Sequence, residues 1–281
     1  MDALGIIGVG FVGTAVREGF APYFRMETYD RNPEKSTTRS VADLVEKTDG
    51  PIFVAVPTPM RPDGSCDISI LESVCHEINE ADSLGRIVII KSTVPPGTTA
   101  GLAKQFTKLR FVFNPEFLTE ANFIDDFKNQ KLIVLGSSQD DRVAYELVGE
   151  MYDAAFYDVE QRWVGWGEAE LFKYLANCFL ALKVSFSNEL YDLCQQLKLD
   201  HSVVVGLAKL DERLGKTHWD VPGPDGHRGF GLSCFPKDIN ALIRLAKDAG
   251  LSMPTLEASW ATNLKVRPER DWEQLKGRAV S

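Results

Sequence analysis

Across the first 160 residues, short apolar runs alternate with longer stretches of helical periodicity. The runs LGIIG (4–8), METYD (26–30), PIFVAV (51–56), RIVII (86–90), LRFVF (109–113), KLIVLG (131–136) and AAFYD (154–158) read as strands. Stretches such as 68–80 and 138–151 repeat their apolar residues at helical spacing. That alternation predicts an α/β unit, a mostly parallel sheet wound on both faces by helices. Ligands of such sheets sit at the carboxyl ends of the strands. Three loops, VPTPMRPDGS, KSTVPPGTT and NPEFLTEANF, stand at those ends. Each fits ordinary turn chemistry, but three stiffened loops on one edge predict a shared site.

From Glu168 the pattern changes. Leu171, Leu175, Phe179, Leu182, Phe186, Leu190, Leu193 and Leu197 follow one another every three or four residues. They predict a helix from about Glu168 to Leu199, roughly eight turns long. Its apolar stripe exceeds what one small domain needs to bury, which predicts packing against a symmetry mate and a homodimer. On another face Lys173 and Asn177 stand one turn apart and project together. Each suits a solvated position, although Asn inside a helix is a local misfit that points to a specific partner. Further on, Pro236 suits the first turn of a helix with an apolar stripe of Ile239, Leu242, Ile243 and Ala246, and Gly250 can end it. The division expected is 1–160 for the sheet unit and 161–281 for a mainly helical dimerisation domain.

Composition narrows the partners. The formal net charge of −9 over 281 residues argues against general nucleic-acid affinity. No apolar run is long enough to span a bilayer, and residues 1–20 hold no basic segment before an apolar stretch. The five cysteines form no C-x-x-C pair, and the four histidines are scattered. A cytoplasmic protein with reduced thiols and no metal is expected.

Candidate chemistry enters at two places. Gly8, Gly10 and Gly13 match G-x-G-x-x-G between an expected strand and an expected helix. Gly8 permits the tight turn, Gly10 the approach of a pyrophosphate and Gly13 close helix–strand packing, so the sheet unit is expected to be of Rossmann type. Asp30 ends the second strand, 20 residues after Gly10. A carboxylate there accepts from an adenosine ribose and repels a 2′-phosphate, which favours NAD over NADP. Arg31 is the opposing signal. The second place is GFGLSCFPKD (229–238). Cys234 precedes an expected helix N-terminus, where the dipole stabilises a thiolate, and Asp238 lies one turn on. Free cysteines are more often buried and inert, so both readings of Cys234 stand on these residues alone.

The blocks VAVPTP, KSTVPPGTT, NPEFLTEANFIDDF, AELFKYLANCFLALKVSFSNEL, DERLG and GFGLSCFPKD, together with the glycine fingerprint, run in one order over nearly the whole chain. In them the sequence resembles the UDP-glucose/GDP-mannose dehydrogenase family. Its members oxidise the primary alcohol of a nucleotide sugar to a carboxylate, using two NAD and one water. The resemblance implies that Cys234 is the nucleophile and that Lys173 stabilises oxyanions. It implies that Asn177 and Asp238 position a water and that Glu116 is the general base for thioester hydrolysis. It places Thr93 and Glu120 in the same pocket. Phe11, Val12, Val56, Pro57 and Thr58 join the glycines, Asp30, Arg31, Thr93 and Glu120 toward NAD. Phe117, Leu118, Glu120, Phe230 and Gly231 join Lys173 and Asn177 toward the sugar, and Arg213 of DERLG is expected on a substrate phosphate across a dimer interface.

Lys237 in FPKD favours the glucose or mannose branch over N-acetylated hexosamines, with UDP-glucose as the expected substrate. Two departures stand out. Family members carry a third, nucleotide-gripping domain, whereas this chain stops at Ser281; and Leu232 stands where the family has a second glycine. A two-electron dehydrogenase of the related hydroxyacid type would also use a Lys and an Asn one turn apart but would not need Cys234. An NAD-binding dimeric module without catalysis is the other alternative.

Overall fold

The computed structural model describes residues 1–82, 85–138 and 140–281. Seven strands form one sheet: β1 (Ala3–Ile7), β2 (Arg25–Tyr29), β3 (Ile52–Val54), β4 (Ile87–Ile90), β5 (Arg110–Phe113), β6 (Leu132–Ser137) and β7 (Glu160–Gly165). Their spatial order is β2-β1-β3-β4-β5-β6-β7. Strands β1, β3 and β4 are buried along their whole length, as expected where both faces of a parallel sheet are covered. One face packs a cluster around Leu44, Leu71, Ile78 and Phe111. The other packs Phe20 against Phe53, Phe127, Tyr152 and Phe156, with ring centroids 5.2–6.1 Å apart.

All neighbouring strands are parallel except β5 and β6. The helix between those two, α5 (Phe123–Lys128), has six residues, about 9 Å of rise. It is too short to carry the chain back across the sheet, so β6 starts at the end where β5 stops. The run 154–158 is not a strand. Ala154 and Ala155 close helix α6 (Arg142–Ala155), and Phe156 is buried in the core. The edge strand is 160–165 instead, where exposed and half-buried residues alternate, a weaker apolar signal than AAFYD. Of the helix expected over 138–151, Gln139 lies outside the described residues, and the observed helix begins at Arg142.

The chain forms two units. The first holds Met1–Thr58 and Ile68–Lys173; the second holds Pro59–Asp67 and Tyr174–Ser281. The loop after β3 therefore divides between them. Within the second unit Met60 pairs with Cys66 and Val280. That unit also contains α8 (His201–Ala208), α9 (Cys234–Asp248) and α10 (Pro254–Val266). Its core joins Tyr174 and Cys178 to Phe230, Ile239, Leu242 and Leu256. Among the described residues no helix is long and apolar enough to cross a membrane.

Helix α7 (Trp166–Leu197) runs 32 residues, and its faces are inverted. Leu171, Leu175, Phe179, Phe186, Leu193 and Leu197 are 46–63% exposed. The buried stripe contains Glu170, Lys173, Asn177, Ser185 and Asn188. Burial of such groups is tolerable only where partners satisfy them. Glu170 shows how: its carboxylate accepts from Gly97 N (2.6 Å), Thr99 N (2.7 Å) and Thr99 Oγ1 (2.6 Å). Those donors open helix α4 (Thr98–Gln105), so Glu170 caps α4 and fixes the KSTVPPGTT loop. Replacing Glu170 with Ala strands these buried donors. We expect Glu170→Ala to lower unfolding free energy by about 3 kcal/mol, read as a shift in urea midpoint at unchanged slope.

Candidate active site

The first unit carries a glycine turn at the end of β1. Gly8 has φ +90°, and a Cβ there would lie 2.6 Å from Ala55 O; a Cβ on Gly13 would lie 2.0 Å from Gly8 O. No side chain fits at either position. A Cβ on Gly10 would meet nothing within 4 Å, so the space above it is open. Helix α1 (Phe11–Phe20) begins there with no acidic residue in its first turn, leaving its N–H groups and positive dipole end for an anion. Phe11 packs edge-on against Phe123 at 6.2 Å, and Val12 follows it in the first turn. Asp30 accepts from Val9 N (2.6 Å) and Asn32 N (2.8 Å), which ties the end of β2 to the glycine turn. Arg31 is exposed.

The neighbouring loops are bound to one another. Thr58 Oγ1 donates to Thr93 O (2.7 Å), and Ser92 Oγ donates to Val56 O (2.7 Å). Val56 and Thr58 are buried and Pro57 is exposed. After β5, Glu116 is buried against Lys173, with Nζ 3.0 Å from Oε1. Lys173 Nζ also donates to Glu116 O, and Leu118 N donates to Oε2 at 2.8 Å. Burial pushes the Glu116 carboxyl up, but Lys173, the Leu118 N–H and Lys91 together outweigh it and hold it below its ordinary value. Phe117 stands over this pair, 5.5 Å from Lys173 Nζ and 5.3 Å from the Phe172 ring. Glu120 is half-buried in the same loop.

The second unit carries the thiol. Cys234 is the first residue of α9 rather than the residue before it, and Ser233 is the N-cap. Asp238 is 1% exposed. It accepts from Asn177 Nδ2 at 2.6 Å and from Lys237 Nζ at 2.5 Å. Burial pushes the Lys237 ammonium down, yet Asp238, Cys234 and Cys66 raise it well above its ordinary value. A lysine held as a cation next to Cys234 favours thiolate there, as does the helix N-terminus. Cys178 in the same unit is driven the other way by burial and by Asp238.

The glycine-rich approach to Cys234 is clamped by α10. Phe230 N donates to Asn263 Oδ1 (2.7 Å), and Asn263 Nδ2 donates to Phe230 O (2.9 Å). A Cβ on Gly231 would lie 2.3 Å from the Arg267 guanidinium. Arg267 is 2% exposed. It pairs with Asp225 (2.8 Å) and Asp271 (2.6 Å), and Asp271 accepts Leu232 N at 2.9 Å. Arg213 lies elsewhere, on an exposed turn, chelated by Asp211 at 2.6–3.2 Å.

Sequence reading missed Lys91, Glu170 and Arg267. Lys91 sits inside KSTVPPGTT, and the four-residue spacing of Arg267 and Asp271 in a charged tail was a usable signal. Lys237 was read only as a mark of substrate branch, and it is also the cation beside the thiol.

An open glycine turn at a helix N-terminus, and a cysteine beside a lysine–aspartate pair, mark the chain's class as a Rossmann-type nucleotide-binding unit followed by a helical unit that carries a cysteine. The comparisons agree. Residues 27–156 match the NAD binding domain of the UDP-glucose/GDP-mannose dehydrogenase family, and 167–265 match its central domain. The chain is similar to UDP-glucose 6-dehydrogenase AglM of Haloferax volcanii, 31% identical over 98% of this chain and 72% of that protein. It is similar to UDP-glucose 6-dehydrogenase TuaD of Bacillus subtilis, 32% identical over 95% of this chain and 64% of that protein. A solved UDP-glucose dehydrogenase from Pyrobaculum islandicum superposes with a TM-score of 0.85 at 32% identity, covering 98% of this chain and 71% of that one. The chain belongs to the UDP-glucose/GDP-mannose dehydrogenase family, and its cofactor is NAD. It spans about half to two thirds of the length of most curated relatives it matches, for example 46% of a putative UDP-glucose 6-dehydrogenase, YtcA, from Bacillus subtilis.

Leu232 adopts φ +58°, a left-handed conformation that costs a non-glycine residue roughly 1–2 kcal/mol. Its side chain is 43% exposed, so little packing is lost on removing it. We expect Leu232→Gly to raise stability by about 0.5–1 kcal/mol after the extra unfolded-chain entropy of glycine, measured by urea unfolding. A lower midpoint would mean that Leu232 packing outweighs the strain.

Proposed function

We propose that this protein oxidises the C6 primary alcohol of UDP-glucose to the carboxylate in two NAD-dependent steps through a covalent Cys234 thioester. The observation that carries the proposal is Cys234 at the start of α9 with Lys237 and Asp238 beside it. A two-electron dehydrogenase has no use for such a thiol. The names of the relatives support UDP-glucose as substrate.

The open Gly10, the forced turn at Gly8 and the acid-free start of α1 fit a dinucleotide pyrophosphate. Phe11, Val12, Gly13, Val56, Pro57, Thr58, Thr93 and Glu120 would border the bound dinucleotide, and Asp30 would accept from the adenosine ribose, with Arg31 beside it. When bound, NAD accepts one hydride in each oxidation.

The protein's own groups do the rest. Asn177 and Asp238 hold a water that takes the proton of the substrate hydroxyl during the first oxidation. The Cys234 thiolate then adds to the aldehyde carbon, forming the C–S bond of a thiohemiacetal, while Lys173 stabilises the oxyanion. The second oxidation leaves a thioester. Glu116 removes a proton from water, the resulting hydroxide attacks the acyl carbon, and the C–S bond breaks to release the uronate and restore the thiolate. Phe117, Leu118, Phe230 and Gly231 would border the sugar, and Arg213 would reach a substrate phosphate in a dimer.

We further infer a homodimer. The exposed apolar stripe of α7 continues in Leu199, Val203, Leu207 and Leu210 around α8, all at least half exposed. A second copy of this chain offers the same apolar face, as an isologous interface requires.

Separate measurements test the covalent step and the dimer. With UDP-glucose and NAD, two NADH should form per sugar consumed. Cys234→Ser should fold and bind NAD but lose turnover by about three orders of magnitude, with an ester-linked sugar visible by mass spectrometry. One NADH per sugar, or near-normal turnover in the variant, would remove the covalent step. Sedimentation at micromolar concentration should give twice the chain mass, and Phe179→Glu should shift it toward the monomer. A monomeric wild type would remove the dimer and, with it, the role given to Arg213.

A further inference from the structure

Lys91 directly follows β4 in the first unit and is 4% exposed. Its Nζ donates to Asn114 Oδ1 at 2.7 Å, a neutral acceptor. Tyr152 Oη donates to the same oxygen at 2.5 Å, and Asn114 Nδ2 donates to Val134 O at 2.7 Å. Asn114 is thereby locked in one orientation, and the ammonium lies 5.6 Å from the centre of the Phe127 ring. Glu116 acts on Lys91 as the neighbouring anion, and Lys173 as a competing cation. Two buried lysines therefore share one buried carboxylate, and the trio carries an excess positive charge. Lys91 and Glu116 also line one cavity of about 460 Å³, together with Asp125, Asp126 and Lys131. Water and protons can reach Lys91 and Glu116 through that opening.

We propose that Lys91 is a positioning residue that sets the strength of Glu116 as a base in the acid-releasing step. The proposal rests on the role given to Glu116 above. While Lys91 is an ammonium, Glu116 faces two cations and holds a proton weakly. When Lys91 gives its proton to solvent through the cavity, Glu116 faces Lys173 alone and becomes the stronger base, still ionised near neutral pH. The neutral amine keeps N–H groups to donate to Asn114, so the geometry survives the change. Burial pushes the Lys91 ammonium down, Glu116 lifts it and Lys173 lowers it again, leaving it at about 7. The groups facing it are Glu116 after β5, Lys173 on α7, Tyr152 on α6, Asp125 and Asp126 on α5, and Lys131 before β6. Of these, the Tyr152 hydroxyl is raised by burial and stays neutral over the working range.

The sign follows. Acid release from the Cys234 thioester should rise with pH through about 7, by about three- to tenfold. Rapid-quench release of the uronate from UDP-glucose and NAD between pH 6 and 8.5 reads this step separately from ionisation of Cys234. Lys91→Met should give a flat profile at the high level, and Lys91→Arg a flat profile at the low level. A loss of structure alone would lower both without removing the pH dependence. Independently, lysine Nζ resonances of the isotope-labelled full chain should show one group titrating near neutrality. It should move down in Glu116→Gln and up in Lys173→Met. The wild-type titration needs no variant, and Lys91 remaining charged through pH 9 would overturn the proposal. So would a pH limb that persists in Lys91→Arg. If Glu116→Gln abolishes release while Lys91→Arg behaves as wild type, only the proposal for Lys91 falls. If Glu116→Gln releases acid normally, the general-base role of Glu116 falls and Lys91 has no base to tune.

Discussion

The buried polar stripe of α7 is the constraint on which the rest depends. A helix that turns Glu170, Lys173, Asn177, Ser185 and Asn188 inward must find a partner for each, because an unpaired buried polar group costs more than the bond it could make. Each partner ties a further segment to the helix. Glu170 holds the loop after β4, and Lys173 holds the loop after β5 at Glu116. In the second unit Asn177 holds Asp238, four residues beyond Cys234, and Ser185 donates to Ser259 O on α10. Satisfying one helix therefore orders several loops. The same inversion leaves Leu175, Phe179 and Leu193 outside, where only another apolar surface can remove them from water.

Two small electrostatic clusters result, and they are built alike. In the first unit the carboxylate Glu116 is held ionised against its own burial by Lys173 and Lys91. In the second the Lys237 ammonium is held charged against its burial by Asp238 and the nearby thiols. Such buried pairs contribute little net stability, since desolvation offsets most of the Coulombic gain. Each holds charge at a fixed place in advance, which is what the roles proposed above for Lys173 and Cys234 require. The contribution of Glu116 is present above its unfolded value of about 4.5 and is lost as pH falls through its lower folded value.

The sheet was legible because its central strands are apolar on both faces, and the glycine turn because Gly8 and Gly13 tolerate no Cβ. The last strand was not legible: an edge strand with one wet face loses, on apolar content, to the buried helix end at Ala154–Phe156. The reversal at β6 depends on the length of α5 (Phe123–Lys128), which no residue pattern displays. For α7 the apolar series located the helix and, being more than one small domain buries, pointed to a stripe left outside, but it did not show that Glu170, Lys173 and Asn177 turn inward. That depends on Glu116, Thr99 and Asp238, far away in sequence. Lys91 and Arg267 stayed hidden for the same reason, since a buried charge looks like a solvated one until its partners are placed.

The approach to Cys234 shows how a distant segment makes up for a local misfit. Leu232 at φ +58° and a chain pressed against a guanidinium at Gly231 are both unfavourable taken alone. Arg267 reverses the balance because one guanidinium serves two carboxylates. Its bond to Asp271 places that side chain to accept Leu232 N, and its bond to Asp225 anchors the segment before the glycines. A planar five-donor group can do this in fixed geometry, and a lysine cannot. The tail supports the same clamp, with Trp272 buried 5.3 Å from the Trp260 ring on α10. The position of the thiol at the start of α9 is thus set by Asn263 on α10 and by Arg267 and Asp271 in the segment that follows it.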